Sequence, residues 1–522
     1  FFVYIFILTT LDKQTTKLGK MKHISILLLY ICILISSCTK KNEIIIGTVE
    51  LSNSKLLLTQ AADSLDVPWD LQYDKTNNYI IFSEIKGNIK KLDLNDNSVQ
   101  LITGIPSVFQ QRTTGLLGMA LYQPLQTEHY LFVSYTTKTD DKIYSNLYRY
   151  IYKDGTVKNP KLLLQIPGNT GHNGSRIIIG TDKKIYWATG DAAIDANAQD
   201  ITKLNGKILR INLDGSIPKD NPTPNSYVYA WGFRNMQGLT QGENSIIYTS
   251  EHGDAVEDEV NLIQPLHNYG WPLIEGKNPP KKETDSTKAI VFTQPLQSWT
   301  PVIAPAGISY YGSTKIPEWR KSLLLTTLKS QSLRILKLSE DGKAIIDEYT
   351  LFKDQLGRLR SVITLPNGDI YFCTSNRDWN PQKGFPKPED DRIYKLSLTE
   401  KAIGKIFTST KTTSARVVAE LSGKNLYEAY CASCHKSDGK GIMGTFPSLE
   451  KSTTVNGDIK TLSQIILKGL KNQTIDGVKY DAQMPAFNFL KDEEATAIIN
   501  YIRSNFKNQA STININQFKQ TK

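Results

Sequence analysis

Asn77-Asn78-Tyr79-Ile80-Ile81-Phe82-Ser83-Glu84 decides the fold, because the chain repeats its form. The run is a turn signal, an apolar β-rich stretch and then a small hydroxyl residue. Asp182-Lys183-Lys184-Ile185-Tyr186-Trp187-Ala188-Thr189 has the same form. So do Glu243-Asn244-Ser245-Ile246-Ile247-Tyr248-Thr249-Ser250 and Asn367-Gly368-Asp369-Ile370-Tyr371-Phe372-Cys373-Thr374. Each is followed by polar residues and a new strand, and residues 56–400 lack long helical periodicity. Divergent units of this kind predict the blades of a β-propeller. A sandwich or jelly roll needs less chain than this, and six blades of about 55–60 residues fit. The expected fold is mainly β: a six-bladed propeller, followed by a small all-α domain.

The all-α domain is read from Cys431-Ala432-Ser433-Cys434-His435. Two cysteines three apart share one helical face, and the next residue is histidine. This is the attachment pattern of a c-type haem, with thioethers at Cys431 and Cys434 and His435 as iron ligand. A zinc site would need a second ligand pair, and the five Cys and six His offer no other close pair. A redox dithiol would need a βαβ frame, which this region lacks. Gln483-Met484-Pro485 places a thioether in a Pro-fixed loop, so Met484 is the expected sixth ligand, with Met443 the other local thioether. Asp492-Glu493-Glu494 opens a helix whose Ala495, Ile498, Ile499, Ile502 and Phe506 share a face. Residues 421–508 therefore resemble a class I cytochrome c domain, with 401–420 a linker and 509–522 a tail.

At the other end, Met21-Lys22-His23 precedes an apolar run from Ile24 to Ile35, and Ile35-Ser36-Ser37-Cys38 reads as a lipobox. Residues 21–38 are expected to be a lipoprotein signal peptide with Cys38 lipidated. Residues 1–20 are expected to be upstream mis-translation, and 39–55 a tether. These features point to a periplasmic or cell-envelope protein held on a membrane surface by its lipid. With Cys431 and Cys434 on haem, Cys373 is left alone and no disulfide framework exists. The net charge is +11, yet residues 56–400 hold 38 basic and 38 acidic side chains. No concentrated basic face appears, which argues against nucleic acid as a partner.

Loops at one end of a propeller channel form its site. Candidate groups are His172, Asp191, the Arg234-Asn235 pair in a Gly-bounded turn, Gly253 and Asp254 after a strand, Lys329, and Arg358 with Arg360 on one side of a strand. Taken alone, a loop histidine is more often a hydrogen-bonded structural group, and an Arg-x-Arg pair more often a solvated strand face.

Val67-Pro68-Trp69-Asp70-Leu71, Gly115-Leu116-Leu117-Gly118, His172-Asn173-Gly174-Ser175-Arg176, residues 204–218, Gly232 to Gly238, Asp258-Glu259-Val260-Asn261, Asn268-Tyr269-Gly270-Trp271-Pro272 and Ala304-Pro305 carry a more specific likeness. Together, in this order, they resemble the soluble quinoprotein glucose dehydrogenase / aldose sugar dehydrogenase family, also called glucose–sorbosone dehydrogenases. The resemblance implies a six-bladed propeller binding pyrroloquinoline quinone (PQQ) with the help of Ca2+. It implies that Asn235, Lys329, Arg358 and Arg360 contact PQQ, and that backbone carbonyls of Gly253 and Asp254 hold Ca2+. It implies His172 as the base on the anomeric C1 hydroxyl of an aldose, Asp191 as its orienting carboxylate and Arg234 as the cation beside the reacting oxygens. The product would be a lactone, and electrons would pass from PQQ to the haem and on to a cytochrome or respiratory acceptor. Trp299 is matched to a wall of the sugar site. Phe233, Thr113, Gly171 and Asp254 depart from the family pattern, so the resemblance leaves the sugar open. Two other readings stay open: a non-catalytic carbohydrate- or protein-binding propeller with an electron-carrier cytochrome, and a dehydrogenase of another alcohol such as sorbosone.

Overall fold

The computed structural model describes residues 44–277, 290–412 and 422–522, apart from 472 and 481. The expected upstream stretch 1–20, the signal peptide 21–38 and the lipobox Cys38 lie outside the described residues. Six sheets form a ring around a channel. Pro68–Asp74, Leu116–Tyr122, Gly174–Ile179, Met236–Gln241, Pro305–Tyr311 and Leu359–Thr364 are the innermost strands of blades one to six. Each lies against the next, and the last lies against the first. The expected propeller is therefore present.

The four repeated runs turn out to be the same element. Tyr79–Glu84, Ile185–Thr189, Ile247–Glu251 and Ile370–Thr374 are the second strands of blades one, three, four and six. A second strand is covered on both faces, which explains why its leading residues are apolar in succession rather than alternating. In blade three, Ile185 and Trp187 pack toward blade two, while Tyr186 and Ala188 pack toward blade four. Burial of each large side chain there contributes about 1.5–3 kcal/mol.

Blade six is completed from both ends of the propeller segment. Ile393–Thr399 pairs with Lys55–Ala62, which pairs with Ile44–Glu50. This corrects two boundaries. The end of the expected tether 39–55 is a blade strand. The start of the expected linker 401–420 is also ordered on the propeller: Lys405–Thr408 pairs in parallel with Ile44–Glu50, and Thr410–Lys411 pairs with Ile345–Leu351 in blade five. The first reads as a polar tether from its flanks, although Ile44–Glu50 is itself largely apolar, and the second is rich in Thr, Ser and Lys. Ladder hydrogen bonds are made by the backbone, so such segments can still cover sheet edges.

In the C-terminal domain, helices Gly423–Tyr430 and Asp492–Ser504 cross closely: a side chain at Gly423 would meet the carbonyl of Ala497 at 2.2 Å. Ala495, Ile498, Ile499 and Ile502 are buried as expected. Phe506 lies past the helix end and packs on Tyr427 and Tyr501 instead. The tail contributes too, since helix Ile515–Lys519 buries Phe518 in the same core.

Adjacent innermost strands approach closely at Gly118, where an added Cβ would meet the carbonyl oxygen of Ser175 at 1.9 Å. Gly118→Ala should therefore force blades two and three apart and cost about 1–3 kcal/mol. A thermal unfolding midpoint equal to that of the parent would contradict this packing.

Candidate active site at the channel mouth

The sequence-predicted groups converge because of hairpin geometry. The start of a first strand and the end of a second strand lie at the same end of a blade. His172, Arg234, Asn235 and Arg358 precede first strands, and Arg360 lies one residue inside one. Asp191, Gly253, Asp254 and Lys329 follow second strands. All therefore sit at one mouth of the channel.

His172 is held in a built loop. Its backbone has φ 54°, an uncommon conformation for a non-glycine residue. Asn169 and Asn173 bond each other's loop atoms, with Asn173 Nδ2 donating to the Asn169 carbonyl at 2.6 Å. Thr113 Oγ1 donates to the Thr170 carbonyl at 2.9 Å, giving this family departure a bracing role. Gly190 must be glycine, because a Cβ there would meet the His172 carbonyl at 2.0 Å. His172 Nδ1 lies 2.9 Å from Asp191 Oδ1. Asp191 Oδ2 accepts from the Trp271 indole at 2.8 Å. Burial alone would raise the Asp191 carboxyl, but His172, Arg234 and Trp271 hold it below the usual range. The carboxylate is thus ionised and accepts from Nδ1–H, which leaves the Nε2 lone pair of His172 free to take a proton. The side chain is 24% exposed, so a substrate can reach it.

Around this pair lies a group of cations. Arg234 pairs with Asp254 at 2.9 Å and stacks over Trp271. Arg358 and Arg360 share Asp378, at 3.4 and 2.7 Å. Arg360 also donates to Gln237 Oε1 at 3.2 Å. Asn235 uses its carbonyl oxygen on Gly174 N and Gln237, so its NH2 is what it can offer outward. The Nε–H groups of Arg234, Arg358 and Arg360 are buried without a hydrogen-bond partner among the described residues. Unsatisfied buried guanidinium donors are costly, and an anion with several oxygens would satisfy them. No group of three or more His, Cys, Asp or Glu side chains gathers to hold a metal among the described residues. Oxygen ligands at Gly253 and Asp254 would be backbone ones.

Sequence reading missed Asp378, Gln237, Trp271 and His252 as site residues. Asp378 and Gln237 carry no motif of their own; their place follows from pairing with the two arginines. Trp299 does not wall the site. Its indole donates to Glu348, Arg334 lies over its ring, and it belongs to the packing between blades four and five. Phe233 stacks on Tyr269 with ring centres 4.5 Å apart, a core contact that needs no polar group.

The haem-attachment site fits its expected occupant. Cys431 and Cys434 are free thiols, not a disulfide. His435 Nδ1 lies 2.8 Å from the Pro447 carbonyl, so Nδ1 carries the proton and Nε2 is left as a ligand. Burial lowers the His435 imidazole, keeping it neutral. Gly441 permits this contact: a Cβ there would meet the carbonyl oxygens of Phe446 and Pro447 at 2.3 and 2.5 Å. Met484 is fixed by paired backbone bonds to Leu470 and packs on the domain core.

The two sites face one another. Lys329 Nζ donates to the Ala429 carbonyl at 2.5 Å. Asn380 Nδ2 donates to the Ser433 carbonyl at 2.9 Å, and Lys436 donates to Asn380 Oδ1. Ala255 packs into the core cluster of the C-terminal domain.

Two outcomes follow. Met484→Ala should keep covalent haem but lose the low-spin His/Met absorbance and lower the reduction potential; an unchanged spectrum would refute that ligand. Burial, then Arg234, Arg360 and His172, push the His252 imidazole from 6.5 down to about 3. The unfolded chain binds that proton first, so this stability is whole above 6.5 and is lost as pH falls toward 3. Thermal unfolding at about pH 7 and about pH 4.5 should show a smaller loss for His252→Asn than for the parent. Equal losses would contradict a neutral His252.

Residues 65–380 match the Glucose / Sorbosone dehydrogenase family, and residues 421–506 match Cytochrome c. The chain is 30% identical to the PQQ-bound form of aldose sugar dehydrogenase from Streptomyces coelicolor, at TM-score 0.57 over 66% of this chain and 99% of that one. It is 27% identical to quinoprotein glucose dehydrogenase B of Acinetobacter calcoaceticus, over 61% of this chain and 85% of that protein. The C-terminal part is 38% identical to cytochrome c-552 of Thermus thermophilus, over 16% of this chain and 60% of that protein. Propeller and attachment motif agree with these matches: the chain belongs to the glucose / sorbosone dehydrogenase family and carries a C-terminal cytochrome c domain.

Proposed function

We propose that the chain oxidises the anomeric C1 hydroxyl of an aldose to the lactone, using PQQ in the channel mouth, and delivers the electrons through its own haem c to an external acceptor. The observation that carries this reading is the His172–Asp191–Trp271 relay beside partnerless, buried guanidinium donors. A tricarboxylate fits those donors, and Arg358, Arg360, Lys329 and the Asn235 amide are the groups that would hold it. Bound PQQ would supply the two-electron acceptor that side chains lack. The chain does the rest. His172 Nε2 takes the C1 hydroxyl proton, and ionised Asp191 stabilises the imidazolium that results. Arg234, kept charged by Asp254 and Asp191 despite burial, faces negative charge developing on the substrate oxygen.

Calcium belongs to the same reading. The turn after Glu251 is tight, with the Val256 carbonyl oxygen 1.9 Å from where a Cβ on Gly253 would lie. Such a turn presents backbone oxygens, the ligands a hard cation takes, and Gly253 and Asp254 would contribute theirs. Lipidation at Cys38 would place the enzyme on a membrane of the cell envelope, with the acceptor a cytochrome or respiratory component.

The direct test adds PQQ and Ca2+ to the purified haem-loaded chain and offers a panel of aldoses while the haem absorbance is followed. Reduction of the haem by at least one aldose is expected; no response to any of them would overturn the reading. His172→Ala should still bind PQQ but lose about 10²–10⁴-fold in turnover. A binding-only propeller would give no aldose-dependent signal with either chain.

A further inference from the structure

We propose that Lys329, Ala255 and the segment 379–381 form the docking surface through which the chain's own cytochrome domain draws electrons, with Lys329 as the residue that positions the two halves. This deepens the reading above and rests on it for the source of the electrons.

Three observations meet here. First, Ala429 lies in the last turn of helix Gly423–Tyr430, which leads into the haem-attachment motif. A helix C-terminus carries partial negative charge, so the Lys329 ammonium is a favourable cap. One of its three donors goes to Ala429, which leaves two for an anion in the channel mouth. Second, Asn380 grips the attachment loop itself. It donates to the carbonyl of Ser433, between the two cysteines, and accepts from Lys436. Third, Trp379 lies between Arg112, 5.3 Å from its ring centre, and Phe446 at 5.8 Å. Its neighbour Asp378 is the carboxylate shared by Arg358 and Arg360. Three consecutive residues thus run from the anion-holding arginines to the haem loop. The attachment segment is thus held from the propeller side at Ala429 and Ser433. The contact combines these hydrogen bonds with packing of Ala255 and Trp379, and its partner is kept local by covalent attachment.

Each aldose loses two electrons and two protons as its lactone forms. The protons pass to water, the first by way of His172. The electrons cross the contact singly, each reducing ferric haem to ferrous haem, which an external one-electron acceptor reoxidises before the next.

Asn380→Lys sets a second cation against Lys436 without touching the haem ligands, and Asn380→Ala removes the same bonds without adding charge. In the full-length haem-loaded chain, hydrogen exchange at residues 378–382 and 429–436 should be slow, and about tenfold faster or more in Asn380→Lys. Aldose-driven haem reduction, followed by stopped flow after addition of PQQ and Ca2+, should slow by a similar factor. Aldose-driven reduction of a small soluble dye and the haem midpoint potential should stay unchanged. Asn380→Ala should fall between the two. Parental exchange and parental haem reduction in Asn380→Lys would overturn the proposal. If the parent reduces neither dye nor haem, the sugar reading fails, and the exchange comparison still decides whether this surface docks the cytochrome domain.

Discussion

Closure of the ring is the constraint on which every other feature depends. Strand Lys55–Ala62, from the beginning of the propeller, fills a place in the last blade beside Ile393–Thr399. Only a closed ring brings blades three, four and six into contact across the channel. Arg360 of blade six reaches Gln237 of blade four, and Arg176 of blade three reaches Ser361 of blade six. The site is therefore a product of long-range pairing, not of any local segment. Its groups come from loops, as in many enzymes, but the loops are set by strands whose side chains are almost wholly buried.

Within the mouth, like charges are kept together by a few well-placed acids. Arg176 pairs with Asp70, Arg234 with Asp254, and Arg358 with Arg360 through one carboxylate. Burial raises the Asp378 carboxyl and the two arginines lower it, with the arginines prevailing. Each acid neutralises part of a guanidinium and leaves other N–H groups for a visitor. A surface with more carboxylates would be more stable empty and a poorer host for an anion.

Much of this was legible in the sequence, for physical reasons that differ by residue. The second strands of blades were visible because burial on both faces gives them a short apolar run without alternation, and four of them share one form. The attachment motif was visible because its chemistry needs three residues at fixed spacing. His172, Asp191 and the Arg-x-Arg pair were legible only through resemblance, since the hydrogen bond that orients the histidine links residues nineteen apart in sequence. Asp378 and Gln237 escaped because their role is defined by partners from other blades. Trp299 misled because an indole that binds a buried glutamate has the same local sequence as one that lines a pocket. Strand 405–411 escaped because backbone pairing leaves little mark on polar side chains, and Ile44–Glu50 escaped because its short apolar run sits among polar residues beside the expected signal peptide.

Those edge strands have a mechanical consequence. With Lys405–Thr408 and Thr410–Lys411 zipped onto blades six and five, and Thr412 N bonded to the Glu348 carbonyl, only residues 413–421 separate the propeller from Ser422 at the helix N-cap. Whatever path they take, that stretch can span no more than roughly 30–35 Å. A haem attached at Cys431 and Cys434 would therefore stay within that reach of the propeller, as a tethered rather than a diffusing carrier.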